Sequence, residues 1–335
     1  MKNVWLLLLT VALTGMSCGR QSPCYEENGT VFHTYYRIKY QSERPLSEKI
    51  DAEFQAFSLS LNPFNPRSIL AKVNRNEEVE VDAWFTTVFN KAMEISAHSG
   101  GMFDATAAPL INLWGFGFER KDSVSPQVID SLRAFVGYRK IRMENGRVIK
   151  DDPRMMLNFS AIAKGFACDV IARLLEREGV TNCMIDIGGE VAVRGVNPGG
   201  NCWRIGISRP DEDLYGANTR TSGIVRLCHP CGLATSGNYR NFYVKDGKKY
   251  AHTINPLTGY PSEETILSAT VTAPDCMTAD ACATACMVMG VEAAVRMAES
   301  LPEIEYYFIY SAPDGSLRTV CSEGMSRWLV NRKTY

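Results

Sequence analysis

Six strand-like segments follow one another between two long helical patterns, and this order constrains the fold more than any other feature. Apolar residues recur on one helix face over residues 159–178, ahead of Gly179, and a second helical pattern covers residues 278–300. The strand-like runs between them are 183–187, 190–196, 203–208, 224–229, 241–244 and 266–272. A doubly wound parallel sheet needs strands and helices in regular alternation. The order therefore predicts an α+β fold.

Shorter patterns flank this block, and none of them repeats. Helical spacing predicts helices over residues 47–61, 81–99 and 129–136, and the Asn145-Gly146 pair predicts a hairpin turn within residues 140–149. Strands are expected at 29–40, 306–310 and 317–320. The chain shows no low-complexity linker, so a single large domain is expected after the N-terminal segment.

The first eighteen residues are typical of a targeting segment. Lys2 precedes an apolar run over residues 4–13, which is too short to span a bilayer core of roughly 30 Å. Residues 15–18 resemble a bacterial lipoprotein cleavage site, in which Cys18 becomes the lipidated first residue. We therefore expect an exported lipoprotein that faces the periplasm, the alternative being a plain secretory signal with an accidental cysteine. The expected divisions are a signal peptide (1–17), a lipidated tether (18–28) and the domain (29–335).

Charge and cysteine content exclude some classes of partner. The 36 Lys and Arg nearly balance the 37 Asp and Glu, which argues against a nucleic-acid partner. Eleven cysteines are too few for a disulfide scaffold in a chain of this length. Cys228 and Cys231 have C-x-x-C spacing without a matching second pair, so a disulfide or two free thiols is expected there rather than zinc.

Two segments before the strand block combine charge with glycine. In residues 101–106, the local pattern around Asp104 alone favours a helix N-cap ahead of Pro109. In residues 160–165, at the expected helix start, backbone N–H groups and Lys164 favour an anion. A solvated lysine on an amphipathic helix is the alternative.

Two later segments are also candidate binding sites, one because of its paired glycines and the other because of its oxygen-bearing side chains. Gly188-Gly189 is compatible with a hairpin turn or with a close backbone approach to a bulky ligand, and the local pattern does not separate them. Asp280 and Thr284 are four residues apart, so they share one helix face and could bind one hard cation such as Mg²⁺. A helix-start Asp with a buried Thr is the alternative.

Taken in chain order, these segments resemble the ApbE-type flavin transferases, or FAD:protein FMN transferases. The matching motifs are Gly101-Met102-Phe103-Asp104, Ala161-Ile162-Ala163-Lys164-Gly165 with Asp169, Gly188-Gly189-Glu190, Ala234-Thr235-Ser236-Gly237-Asn238-Tyr239, His252-Thr253-Ile254-Asn255-Pro256 and Ala279-Asp280-Ala281-Cys282-Ala283-Thr284. The resemblance covers roughly residues 29 to 330. It implies mixed, largely antiparallel sheets with packed helices in two close-packed lobes.

The resemblance also implies an activity: Mg²⁺-dependent transfer of FMN from FAD to a Thr or Ser hydroxyl of a target protein, with release of AMP. The implied metal positions are Asp280, Thr284 and the backbone carbonyls of Ala161 and Ala283. The implied FAD positions are Phe32, Phe64, Met102, Phe103, Asp104, Asn158, Lys164 and Ile254. Asp280 and Thr284 are the expected catalytic residues, and His252 and Asp104 are candidates for the general base.

The chain departs from the family pattern at three FAD positions. Phe32 and the following His33 stand where the family usually has Met and Gly. Phe64 stands where Tyr is common, and Asn158 replaces a usual Asp. The last change removes one negative charge.

The implied partner is a subunit of a membrane electron-transport or sodium-pumping complex, which an enzyme anchored by lipid would meet at the same membrane face. Two other functions stay open at this point. One is an FAD pyrophosphatase, in which water replaces the acceptor and the products are FMN and AMP. The other is an exported FAD-binding lipoprotein without catalysis.

Overall fold

The computed structural model describes residues 22–117, 124–210, 221–237, 242–245, 248–251, 253–262 and 265–330. The helices are α1 (Ser47–Leu61), α2 (Ile69–Asn74), α3 (Ala83–His98), α4 (Ala108–Leu113), α5 (Pro126–Arg133), α6 (Ala163–Arg177), α7 (Cys276–Met289), α8 (Val291–Glu299) and α9 (Glu323–Trp328). The strands are β1 (Cys24–Val31), β2 (Thr34–Gln41), β3 (Ile141–Glu144), β4 (Arg147–Lys150), β5 (Cys183–Ile187), β6 (Glu190–Arg194), β7 (Trp203–Ser208), β8 (Thr221–Leu227), β9 (Cys231–Gly237), β10 (Phe242–Lys245), β11 (Lys248–Ala251), β12 (Ile266–Ala273), β13 (Glu305–Ser311), β14 (Leu317–Cys321) and β15 (Leu329–Val330).

An eight-stranded sheet forms the centre of the fold, and the expected α+β class is confirmed. Its strand order is β1-β2-β5-β6-β9-β12-β13-β14, and every neighbouring pair runs antiparallel. A smaller antiparallel sheet has the order β15-β8-β7. The predicted β3–β4 hairpin is also present, with Asn145 and Gly146 at positive φ in its turn.

The middle strands of the central sheet are buried on both faces, so two apolar clusters form. In β13, Tyr306 and Phe308 belong to the large cluster shared with the helices, whereas Tyr307 and Ile309 belong to a second cluster. Because successive side chains of a strand point to opposite faces, one strand contributes to both. Trp203 of the small sheet completes the second cluster. The two clusters therefore lie on opposite faces of the same sheet.

Helices α6 and α7 pack closely against each other, and the contact fixes the start of α7. A Cβ on Gly165 would lie 2.2 Å from the carbonyl oxygen of Cys276, so only glycine fits there. The two carboxylate oxygens of Asp169 accept the backbone N–H groups of Cys276 and Met277, each at 2.9 Å. These bonds satisfy donors that a helix start otherwise leaves unpaired.

Three predictions about the elements are wrong. The strand expected over residues 29–40 is instead two antiparallel strands, β1 and β2, which are joined by a turn at Phe32 and His33. Residues 24–28, expected in the tether, form the first part of β1, because each pairs with a residue of β2 and Glu26 bonds Lys39 across the strands. The helix expected over residues 278–300 is broken at Gly290, whose φ of 75° ends α7. The signal peptide and Cys18 lie outside the described residues.

The cysteines also differ from the expected Cys228–Cys231 disulfide or pair of free thiols. Cys228 is bonded to Cys202, with a Cα–Cα distance of 4.6 Å, and not to Cys231. Cys231 lies in β9 as a buried free thiol. The disulfide joins the ends of two neighbouring strands, β7 and β8. Trp203, next to Cys202, pairs directly with Leu227, next to Cys228.

Within the described residues, no helix combines the length and the apolar character needed to cross a bilayer.

Candidate active site

A cavity of about 1030 Å³ opens where the main sheet, the small sheet and the starts of two helices meet. The predicted positions that line it are Phe32, Phe64, Met102, Phe103, Asp104, Asn158, Ala161, Lys164, Ile254, Asp280 and Thr284. Ala283 does not line it and is fully buried within α7. His252 lies outside the described residues, so its role as general base stays a prediction.

Three charged side chains form a cluster at the base of this cavity. Lys164 Nζ lies 2.6 Å from Glu190 Oε1, and Glu190 is only 4% exposed. Asp280 is 2% exposed, and its Oδ2 accepts the backbone N–H of Gly165 at 3.0 Å. One positive charge therefore faces two nearly buried negative charges, which leaves an excess of negative charge where water is largely excluded.

Burial is the main cause of the raised pKa values of the two carboxyl groups in this cluster. It raises the pKa of Glu190 to about 7, although the neighbouring Lys164 ammonium opposes the shift and Asp280 adds to it. Burial also raises the pKa of Asp280, against the effects of Lys164 and the Gly165 N–H group. For Lys164, burial lowers the pKa, but the carboxylates of Glu190 and Asp280 outweigh it and the net pKa is raised. Lys164 is therefore a permanent cation here.

The donor set fits a hard cation. Glu190 Oε2 is buried and has no hydrogen-bond partner among the residues that the structure describes, and Thr284 Oγ1 lies 3.3 Å from Ser236 Oγ. Among the residues described, no three His, Cys, Asp or Glu side chains form a metal-binding group. Mg²⁺ commonly takes only one or two protein carboxylates and completes its shell with water and substrate phosphate. The cluster is compatible with that mode of binding.

Comparison with known proteins identifies the group to which this geometry belongs. A family model described as "ApbE family" matches residues 32–308. The chain belongs to the ApbE family.

Its curated relatives and structural neighbours agree with this assignment. An FAD:protein FMN transferase of Vibrio cholerae is 33% identical over 328 residues, covering 94% of this chain and 96% of the relative. One from Escherichia coli is 31% identical over 319 residues, covering 91% and 89%. The solved flavin transferase ApbE from Vibrio cholerae superposes with a TM-score of 0.81 at 32% identity, covering 92% of this chain and 99% of that one.

Asp104 of this ApbE family member is not the helix N-cap that the local pattern favoured. The N-cap of α4 is Ala107, which makes no side-chain cap. Asp104 Oδ1 instead accepts the N–H and hydroxyl of Thr106 at 2.8 and 2.6 Å, and its Oδ2 accepts the N–H of Tyr138 at 2.8 Å. Burial raises the pKa of Asp104, and these hydrogen bonds oppose it. The carboxylate therefore fixes the loop that lines the cavity.

Asn158 keeps a structural role despite its departure from the ApbE family pattern. Its Oδ1 accepts the N–H of Ser160 at 2.8 Å, and its own N–H donates to Ala105 at 2.8 Å. The segment beyond it is a turn rather than helix, because α6 begins at Ala163 and not at Ser160. Lys164 is consequently the second helical residue, close to the positive end of the helix dipole.

Sequence reasoning missed the role of Glu190. The residue stands in the Gly188-Gly189-Glu190 motif, but no charge partner was assigned to it. The available signal was an acidic residue that opens a strand and is followed by three apolar residues, since a nearly buried carboxylate needs a cation. The hairpin turn expected at Gly188-Gly189 is confirmed, with φ of 68° and 104° between β5 and β6. Both glycines also line the cavity, and a close backbone approach to a ligand there stays a prediction.

Proposed function

We propose that this chain is an FAD:protein FMN transferase that requires Mg²⁺ and modifies a Thr or Ser hydroxyl of its target. The observation that carries the proposal is the Lys164–Glu190–Asp280 cluster at the base of a cavity large enough for a dinucleotide. Residues that the family resemblance assigns to FAD line the same cavity. Membership of the ApbE family supports the same reaction.

The reaction breaks the bond between the FMN phosphorus and the AMP oxygen, and forms a new bond from that phosphorus to the acceptor oxygen. AMP leaves with its own phosphate, and the acceptor hydroxyl loses its proton. The protein's part is to place the phosphates and neutralise their charge. Lys164, held by Glu190, supplies a fixed positive charge for the pyrophosphate.

Asp280, Thr284 and the unpartnered oxygen of Glu190 are the groups that would hold Mg²⁺. Bound there, the ion would polarise phosphoryl oxygens and stabilise the leaving AMP. For the general base, Asp104 is the poorer candidate because both of its oxygens already accept hydrogen bonds. His252 therefore remains the preferred candidate.

Incubation with FAD, Mg²⁺ and an acceptor protein is expected to attach flavin covalently to the acceptor, which then gives a fluorescent band in a denaturing gel. Because the acceptor hydroxyl takes the FMN, AMP should appear in equal amount with the modified protein. The control omits the acceptor. Rapid release of free FMN in that control would instead support the pyrophosphatase, and bound FAD without any FMN or AMP would support a carrier.

We also infer that the protein is exported and anchored by a lipid at Cys18, where it would meet a membrane electron-transport or sodium-pumping subunit. The Cys202–Cys228 disulfide supports export, because such bonds persist in oxidising compartments. Mass spectrometry of the mature protein is expected to find Cys18 as a diacylated N-terminal residue. A mature chain that starts elsewhere, or an unmodified Cys18, contradicts the anchor, and Cys18→Ser provides the unlipidated control.

A further inference from the structure

The turn that joins β1 to β2 holds two consecutive non-glycine residues in left-handed backbone. Phe32 has a φ of 50° and His33 a φ of 62°. Val31 pairs directly with Thr34, so the turn contains only these two residues. Positive φ at both positions is the pattern of a type I′ turn, which favours Asn-Gly. Phe32 therefore occupies the turn against its local conformational preference, and His33 stands where such a turn favours glycine.

The same chain contains a second turn of this kind with the favoured residues. Asn145 and Gly146 join β3 to β4 with φ values of 48° and 73°, and neither lines the cavity. The unfavourable pair borders the cavity, and so does the two-residue Gly188-Gly189 turn, whose glycines adopt positive φ without strain. Bulky residues held in left-handed backbone cluster at binding sites. Phe32 and His33 both line the cavity.

Core packing explains Phe32 but not His33. The Phe32 ring lies 5.0 Å from that of Phe57 and 5.9 Å from that of Phe54, against the large apolar cluster. His33 is exposed, and its ring lies 5.1 Å from that of Phe64 at an interplanar angle of 68°. Phe64 is itself 51% exposed. The two rings therefore support each other while presenting aromatic surface to solvent.

The pair of rings formed by His33 and Phe64 lies beside the Lys164–Glu190–Asp280 cluster. His33 and Phe64 line both the main cavity and a smaller crevice of about 110 Å³ beside it. Lys164 lines the same two spaces. A ligand whose pyrophosphate contacts Lys164 would bring one of its flat ring systems within reach of the pair.

We propose that His33 is a substrate-positioning residue, whose ring and that of Phe64 form an aromatic clamp on a flat ring system of FAD. The proposal rests on the proposed function. Aromatic rings bind one another through offset-stacked or edge contacts, and the clamp offers faces and edges for both. FAD carries two such systems, isoalloxazine and adenine, and the clamp recognises the chemistry they share.

His33→Gly tests the clamp, because glycine adopts the left-handed turn freely and removes the ring. The KM for FAD is expected to rise by about tenfold, the effect of one good aromatic contact. The melting temperature should stay unchanged or rise slightly, since backbone strain is relieved. His33→Phe keeps a ring and should hold KM within about threefold of the native value. Asn145→Gly gives the same backbone relief away from the cavity and should leave KM unchanged.

Inhibition by FMN and by AMP then identifies which ring system of FAD the clamp contacts. Weaker inhibition of His33→Gly by either compound supports the clamp, and the compound affected names the ring system; no change for either overturns it. Three other results also overturn the clamp. They are an unchanged KM for FAD in His33→Gly, a clearly lower melting temperature in His33→Gly, and a KM for FAD in His33→Phe as high as in His33→Gly. Failure of the proposed function differs, because the native protein would then transfer no FMN. The affinity of each variant for FAD, measured by equilibrium dialysis, would still test the clamp.

Discussion

Asp280→Asn is expected to lower the rate of FMN transfer by about 10³-fold, and Asp280→Ala by at least as much. The asparagine side chain has the same shape, and its oxygen can still accept the N–H of Gly165, which Asp280 now bonds at 3.0 Å. The Asp280→Asn substitution removes one of the two negative charges in the Lys164–Glu190–Asp280 cluster. The α6–α7 contact should therefore survive while the cation site is lost. Transfer is measured by in-gel flavin fluorescence at several Mg²⁺ concentrations.

Two further measurements make this result specific. FAD binding, followed by equilibrium dialysis, should be retained in part because the lining around Met102, Phe103 and Ile254 is unchanged. Asp275→Asn is the matched control on the same helix: Asp275 caps α7 through the N–H of Thr278 at 2.8 Å, and asparagine is an equally good cap. The Asp275→Asn variant should transfer FMN at the native rate. Full activity in Asp280→Asn would refute the metal assignment.

The sequence predicted elements whose apolar residues are regularly spaced or form a continuous run, and it failed for one strand of small residues and for the end of one helix. Residues 47–61 match α1 and residues 183–187 match β5, since apolar spacing defines both. Strand β9 was recognised only as a motif, because it lies mid-sheet and contains small residues. A Cβ on Gly232 would lie 2.2 Å from Cys276 Cα, so α7 itself forces the small residue. Helix α7 is buried almost all round and gave no periodic signal for its end at Gly290.

The site was predictable as a set of positions but not as a set of contacts. The family resemblance identified Lys164 and Asp280, and both line the cavity. Nothing local indicated that Lys164 pairs with Glu190, or that Asp169 binds N–H groups 107 and 108 residues further along the chain. Such contacts depend on how the helices pack on the sheet, and side-chain periodicity carries no information about them.

Lys164→Met is expected to abolish transfer and to lower the free energy of unfolding by about 3 kcal/mol. Methionine keeps the length of the side chain but removes the cation that lies 2.6 Å from Glu190. Glu190 and Asp280 are then two buried carboxyl groups that must either stay charged without a cation or take up a proton, and removal of one partner of a buried ion pair typically costs about 3–5 kcal/mol. The lower end of this range applies because the Lys164 side chain is 31% exposed and solvent screens part of the interaction.

The double variant Lys164→Met/Glu190→Gln separates charge from packing. The neutral glutamine side chain introduced by Glu190→Gln no longer opposes Asp280, so most of the lost stability should return while transfer stays absent, since no cation faces the pyrophosphate. The single variant should also become more stable as the pH falls from about 8 to about 6. Burial already raises the pKa of Glu190 to about 7, and loss of Lys164 raises it further, so the folded state binds the proton more tightly than the unfolded state. Urea unfolding at the two pH values measures this. A double variant no more stable than Lys164→Met would show that the lysine contributes packing rather than charge.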